Sequence, residues 1–173
     1  MEPAYVRISP VNINGAGSSR LMMVLKTKGC EYAQKNGGGC TICGFINHSL
    51  ENITQESMIA QMDYVLANLQ LNGVEQIDLL TLGSFLNDNE VNRYTREVLL
   101  GKIAALKQIR KVSFESRAEY VTVEKLKISK GILGDKILEF GIGLESADDY
   151  IRNKIIKKRL SRGAFEKVVA KVK

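Results

Sequence analysis

The stretch LMMVLKTKGCEYAQKNGGGCTICGF, residues Leu21–Phe45, runs a short buried strand, Leu21–Leu25, into a glycine-rich loop that holds every cysteine of the chain. Cys30, Cys40 and Cys43 fall within fourteen positions of one another. A disulfide framework uses an even number of cysteines spread through the chain, so three at one loop point instead to thiolate ligands with one coordination position left open. A Cys3His zinc site completed by His48, the single histidine, is the alternative, and unrelated buried thiols are disfavoured because a glycine-rich polar loop buries thiols poorly. Gly37, Gly38 and Gly39 let the backbone bend around such a centre.

Outward from that loop the pattern repeats. Thr54 opens a helix along which Ile59, Met62, Val65, Leu66 and Leu69 return at three- and four-residue steps, and Asn72-Gly73 stops it. The spacing predicts a strand over Gln76–Leu82, a helix over Glu90–Gln108, a strand over Val112–Glu115, and a short helix or turn over Thr122–Ile128. A fourth strand is expected over Ile137–Leu144 and helix from Asp148 onward, with Gly163 as a break. Near-continuous apolar strands alternating with amphipathic segments are the mark of parallel βα units. Each strand ends in polar groups: the cysteine loop, Gly83-Ser84, Glu115-Ser116-Arg117, and Glu145-Ser146. That edge gathers functional groups in open sheets and in barrels alike. The bland reading of Glu145-Ser146 is a loop in which Ser146 or Asp148 caps a helix, and that of Glu90 is an acid in a helix's first turn.

The chain has 173 residues, of which 45% are apolar and 25% charged, enough for one cored domain. Its net charge of +6 is uneven. Ile151–Lys173 carries nine Lys/Arg and one acid, whereas Met1–Tyr150 carries sixteen Lys/Arg and eighteen acids. The basic helical segment 151–173 suits either phosphates or plain solvation. No run reaches the ~18 apolar residues of a membrane span, and the start MEPAYVRISP has no signal-like pattern. With free cysteines, this leads to an expected cytoplasmic location and no membrane partner.

The segments Leu21–Phe45, LLTLGSFLNDNE, FESRAEYV and GIGLESADDYIRNKIIKKRLS together resemble the radical S-adenosylmethionine enzymes, over about residues 20–165. Nine residues separate Cys30 from Cys40 where the commonest superfamily motif has three, which is similar to the branch of the archaeosine-forming tRNA enzyme and the Elongator catalytic subunit. The resemblance implies an α/β fold: a partial (β/α) barrel of the radical SAM type, incomplete at the C-terminal side, with a mostly parallel sheet. Residues 1–173 would be one such domain, the N-terminal portion of a longer architecture.

It also implies a 4Fe–4S cluster on Cys30, Cys40 and Cys43 and S-adenosylmethionine on its open iron. Reductive cleavage would give a 5′-deoxyadenosyl radical for tRNA base modification, cleaving a carbon–nitrogen bond of a lysine adduct of a 7-deazaguanine. Ile42 would neighbour the adenine, Gly83 and Ser84 the methionyl amino group, and Glu115, Ser116 and Arg117 the ribose and carboxylate. Glu145 would be a further cofactor-facing position. The implied partners are tRNA through the basic C-terminal segment, a one-electron reductant, and a second subunit or another copy of the chain. A radical enzyme on a small molecule and a non-catalytic iron–sulfur or zinc module binding RNA or a partner are the competing functions.

Overall fold

A computed structural model describes residues 1–172; of the basic segment 151–173, Lys173 lies outside the described residues. Five strands form one sheet in the order β1-β2-β3-β4-β5. They are β1 Tyr5–Ile13, β2 Ala16–Leu25, β3 Val74–Thr81, β4 Lys111–Glu115 and β5 Ile137–Gly141. β1 pairs antiparallel with β2, and β2 through β5 are parallel. The α/β reading and the parallel register of β2–β5 hold. The partial barrel does not: the sheet is open and mixed, with β1 at one edge and β5 at the other. Asn14-Gly15, both at positive φ, makes the tight hairpin turn that folds β1 back along β2. β1 thereby occupies the edge of β2 that a closing barrel would have to leave free.

The helices α1 Glu31–Lys35, α2 Gln55–Asn68, α3 Arg93–Ala104, α4 Val123–Leu133 and α5 Arg162–Val172 complete the chain with two 3₁₀ turns and a π-helical turn, Ile151–Ile155. Thr54, Asn92 and Thr122 each accept the backbone N–H three residues on, so α2, α3 and α4 start at side-chain caps. α2 packs on β2 and α3, α3 on α4, and α4 on β5. Met58, Met62 and Val65 of α2 and Leu99, Leu100 and Ile103 of α3 bury against Leu21, Met23, Leu25, Ile77, Leu79, Val112 and Phe114 of the sheet. Phe85 and Phe114 meet with ring centroids 4.8 Å apart. One face of the sheet is thus covered by helices, and that packing aims four parallel C-terminal strand ends at one edge.

The expected helix from Asp148 forms over 149–155, ending in the π-helical turn; a bend then interrupts it, and α5 follows with Gly163 in its first turn rather than as a break. Asp148 accepts the N–H groups of Tyr150 and Ile151. Glu90 precedes α3 and is buried rather than standing in a helix's first turn. Among the described residues no helix is long and apolar enough to cross a membrane.

Candidate functional site at the strand ends

The loop after β2 and the loop after β3 are locked together by one carboxylate. Glu90, 1% exposed, accepts the backbone N–H of Glu31 at 2.8 Å, the amide of Asn87 at 2.9 Å, and the backbone N–H of Ser84. A β-carbon on Gly83 would collide with the Glu90 carboxylate and lie 2.9 Å from Cys30 Cα, so only glycine lets the two loops approach this closely. Burial pushes the Glu90 carboxyl above its ordinary value, against the three donors that favour its ionised form.

Glu31 extends the lock. Its carboxylate takes hydrogen bonds from Lys35, Asn87 at 2.7 Å, Asn89 at 3.0 Å and Tyr120 at 3.2 Å. The Lys35 ammonium, then Asn87, hold it at about 2. Burial and the neighbouring Glu31 raise Tyr120. Neither Glu31 nor the asparagines stood out in the sequence; the one readable signal was the dense run of acids and amides in FLNDNE.

Arg117 links this lock to the rest of the edge. Its backbone N–H donates to Ser84 Oγ at 3.2 Å, its Nε to Glu119 at 2.5 Å, and its Nη2 to the Lys158 carbonyl at 2.9 Å. The guanidinium lies over the Tyr32 ring, with Cζ 4.0 Å from the centroid. Cys30, Gly83, Ser84 and Arg117 are therefore brought together.

Glu115, Ser116, Glu145 and Lys158 make a second group beside β4 and β5. Lys158 Nζ pairs with Glu145 at 2.9 Å, and Glu145 takes a left-handed φ of 65°. Burial, then the Glu145 charge, raises Glu115. Ser116 is buried and its hydroxyl has no partner among the described residues.

Segment 145–160 clasps the cysteine loop. Tyr32 donates to the Lys157 carbonyl, Thr41 donates through Oγ1 to Ile155 O at 3.0 Å and through N to Ile156 O at 2.9 Å, and Arg159 reaches Asn36. Arg152, fully buried, holds the clasp in shape from inside by donating to the carbonyls of Leu160 and Ser146.

The cysteines themselves are less convergent than their spacing implies. Gly37, Gly38 and Gly39 do turn the loop, all at positive φ. Cys43 is exposed, and Cys30 and Cys40 are half-buried. Burial raises both of the latter thiols, with Lys158 and Arg117 opposing it at Cys40. Among the described residues no three or more His, Cys, Asp or Glu side chains are grouped to hold a metal ion. The expected 4Fe–4S cluster and the S-adenosylmethionine bound to it are corrected accordingly, because a cluster needs its donors gathered at one place and the described residues offer no such group. The zinc alternative fails the same test: His48 is exposed on its own 3₁₀ turn. Ile42 is 62% exposed.

The chain is similar to three curated archaeal proteins. An uncharacterized protein of Methanocaldococcus jannaschii is 33% identical over 82% of this chain and 39% of its own length. The archaeosine synthase subunit beta of Methanosarcina acetivorans is 30% identical over 91% of the chain and 45% of that protein. Its counterpart in Thermococcus kodakarensis is 30% identical over 85% and 46%. The chain spans less than half the length of these relatives. No family model matches, and no solved structure does. The archaeosine part of the expected resemblance is therefore carried by named relatives. Nothing in their names indicates radical S-adenosylmethionine chemistry. Together with the absence of a gathered donor set among the described residues, this overturns the expected reductive cleavage of that cofactor and the reductant that went with it.

Proposed function

We propose that the chain serves in archaeosine-type modification of tRNA as one component of a larger assembly, working beside a second subunit. The observation that carries this is its likeness, over most of its own length, to two proteins named archaeosine synthase subunit beta. In this reading the strand-end edge is where the chain meets its substrate. Cys30, Cys40, Cys43 and Ile42 come from the loop after β2, Gly83 and Ser84 from that after β3. Glu115, Ser116 and Arg117 follow β4, and Glu145 follows β5. The position of that edge, at the carboxyl ends of parallel strands, suits a ligand site, and its mix of carboxylates, a buried hydroxyl and a guanidinium suits a polar, nitrogen-rich substrate. No membrane role enters this reading.

The test is genetic. A T. kodakarensis strain lacking its subunit beta would carry this chain, alone or in place of the matching part of the host subunit, and its tRNA nucleosides would be measured by mass spectrometry. Restored archaeosine, lost again with Glu115→Ala and Ser116→Ala together, is the expected result. Stable protein with no archaeosine in either arrangement contradicts the proposal.

A further inference from the structure

The clasp that closes over the cysteine loop also turns an unusual surface outward. Lys154 and Lys157 are exposed and form no ion pair among the described residues. Arg159 is exposed, and its one side-chain partner is the neutral amide of Asn36. Lys157 and Arg159 both sit at left-handed φ, 58° and 51°. Bulky residues hold that conformation only where the surroundings impose it, and here they do. Tyr32 and Arg117 bind the Lys157 and Lys158 carbonyls, and the Lys158 N–H reaches Arg152 O at 2.9 Å. The backbone is fixed from the inside so that the cations point out.

Apolar groups stand among those cations. Tyr150 is 67% exposed and Ile155 55% exposed; Tyr150 precedes the π-helical turn and Ile155 ends it. Ile42 follows Thr41, which is bonded to the Ile155 and Ile156 carbonyls. Here exposed apolar groups are grouped with exposed cations rather than scattered singly, and a protein partner's apolar core has no use for unpaired cations. Fixed cations for phosphates beside an exposed aromatic for an unstacked base are what recognition of single-stranded RNA requires.

We propose that this face, Lys154, Lys157 and Arg159 with Tyr150, Ile155 and Ile42, binds an unpaired RNA loop, with phosphates on the cations and a base on Tyr150. Because the same segment clasps the cysteine loop, RNA held there is delivered to the strand-end edge. The inference rests on the proposed tRNA role only for the identity of the RNA.

The experiment is fluorescence anisotropy with an unmodified tRNA transcript and a fully paired RNA duplex, over a series of salt concentrations. The chain is compared with K154Q/K157Q, with Y150A, and with K107Q/K127Q as a charge-matched control elsewhere on the surface. All are first checked for unchanged thermal unfolding. Each lost phosphate contact to an unpaired strand lowers the slope of log affinity against log salt by about 0.7, so K154Q/K157Q is expected to reduce it by about 1.4, with affinity down at least about tenfold. Y150A is expected to cost about fivefold or more with the slope unchanged. The control binds like the parent, and the duplex binds more weakly than tRNA.

No tRNA binding by the parent, or equal losses in the ridge and control variants, overturns the inference, as does a duplex bound as tightly as tRNA. Ridge-independent tRNA binding alongside archaeosine rescue would sink this surface and leave the proposed function standing. Ridge-dependent binding without rescue would do the reverse.

Discussion

The two halves of the strand-end edge are built differently. On the β2–β3 side, Glu31, Gly83, Ser84, Asn87 and Glu90 interlock, and every oxygen of both carboxylates has a donor. On the β4–β5 side, Glu115 and Glu145 repel each other, Lys158 answers only Glu145 with a side-chain bond, and the Ser116 hydroxyl is buried without a partner. A protein that needed only a stable edge would have finished both halves alike. The first half holds the loops in place, and the second keeps polar groups uncommitted. Such incompletely satisfied groups cost stability, which is why they gather where a ligand completes them.

The comparison breaks most visibly at Gly83. Gly83→Ala forces a β-carbon into the Glu90 carboxylate and toward Cys30 Cα, so urea unfolding should show a loss of about 3 kcal/mol. A loss near zero would mean the two loops are not locked.

Glu31 gives the next effect, and it depends on pH. Its folded value of about 2 lies below the ordinary 4.5, so the stability it contributes is complete above about 4.5 and is lost as pH falls toward 2. Glu90 and Glu115 are raised and act with the opposite sign: protonation favours their folded environment. The difference in unfolding free energy between the parent and Glu31→Gln should therefore be greatest near neutral pH and shrink steadily through that acid window. A pH-independent difference would contradict the assigned lock.

Ser116→Ala should give the smallest effect, and of the other sign. Removing an unpartnered buried hydroxyl is expected to leave stability unchanged or raise it by up to about 1 kcal/mol. A loss beyond that size in thermal unfolding would show that the hydroxyl has a structural partner.

The parts of this arrangement that the sequence makes legible are those with a local cause. Near-continuous apolar strands and capped helices place β2–β5 and α2–α4, because Thr54, Thr122 and the buried periodic positions act locally, although β2 begins five residues earlier and α4 ends five residues later than expected. β1 was missed although Asn14-Gly15 is a strong hairpin signal, since VRISPVNI alternates less plainly than the strands after it. With β1 on that edge the expected barrel gives way to an open sheet. Cys30, Gly83, Ser84 and Arg117 could be singled out by their place after strands, but the bonds that bring them together could not: Arg117 meets Ser84 from 33 positions away, and Glu90 ties the two loops by accepting from Glu31, 59 positions away. The clasp of 145–160 over the cysteine loop is equally non-local, spanning 125 positions from Tyr32 to Lys157. The gathered thiolate set went wrong for a related reason. Spacing fixes where cysteines fall in a loop and not where their thiols end up.

Urea unfolding of Glu90→Ala beside Glu115→Ala tests the division most directly, since it removes one carboxylate from each half, the buried Glu90 and the exposed Glu115. Glu90→Ala strands the Ser84 and Glu31 N–H groups and should lose about 2–3 kcal/mol, while Glu115→Ala, relieved of its repulsion with Glu145, should stay within about 0.5 kcal/mol of the parent. Equal losses, or a larger one for Glu115→Ala, would contradict the division into a holding half and an uncommitted half.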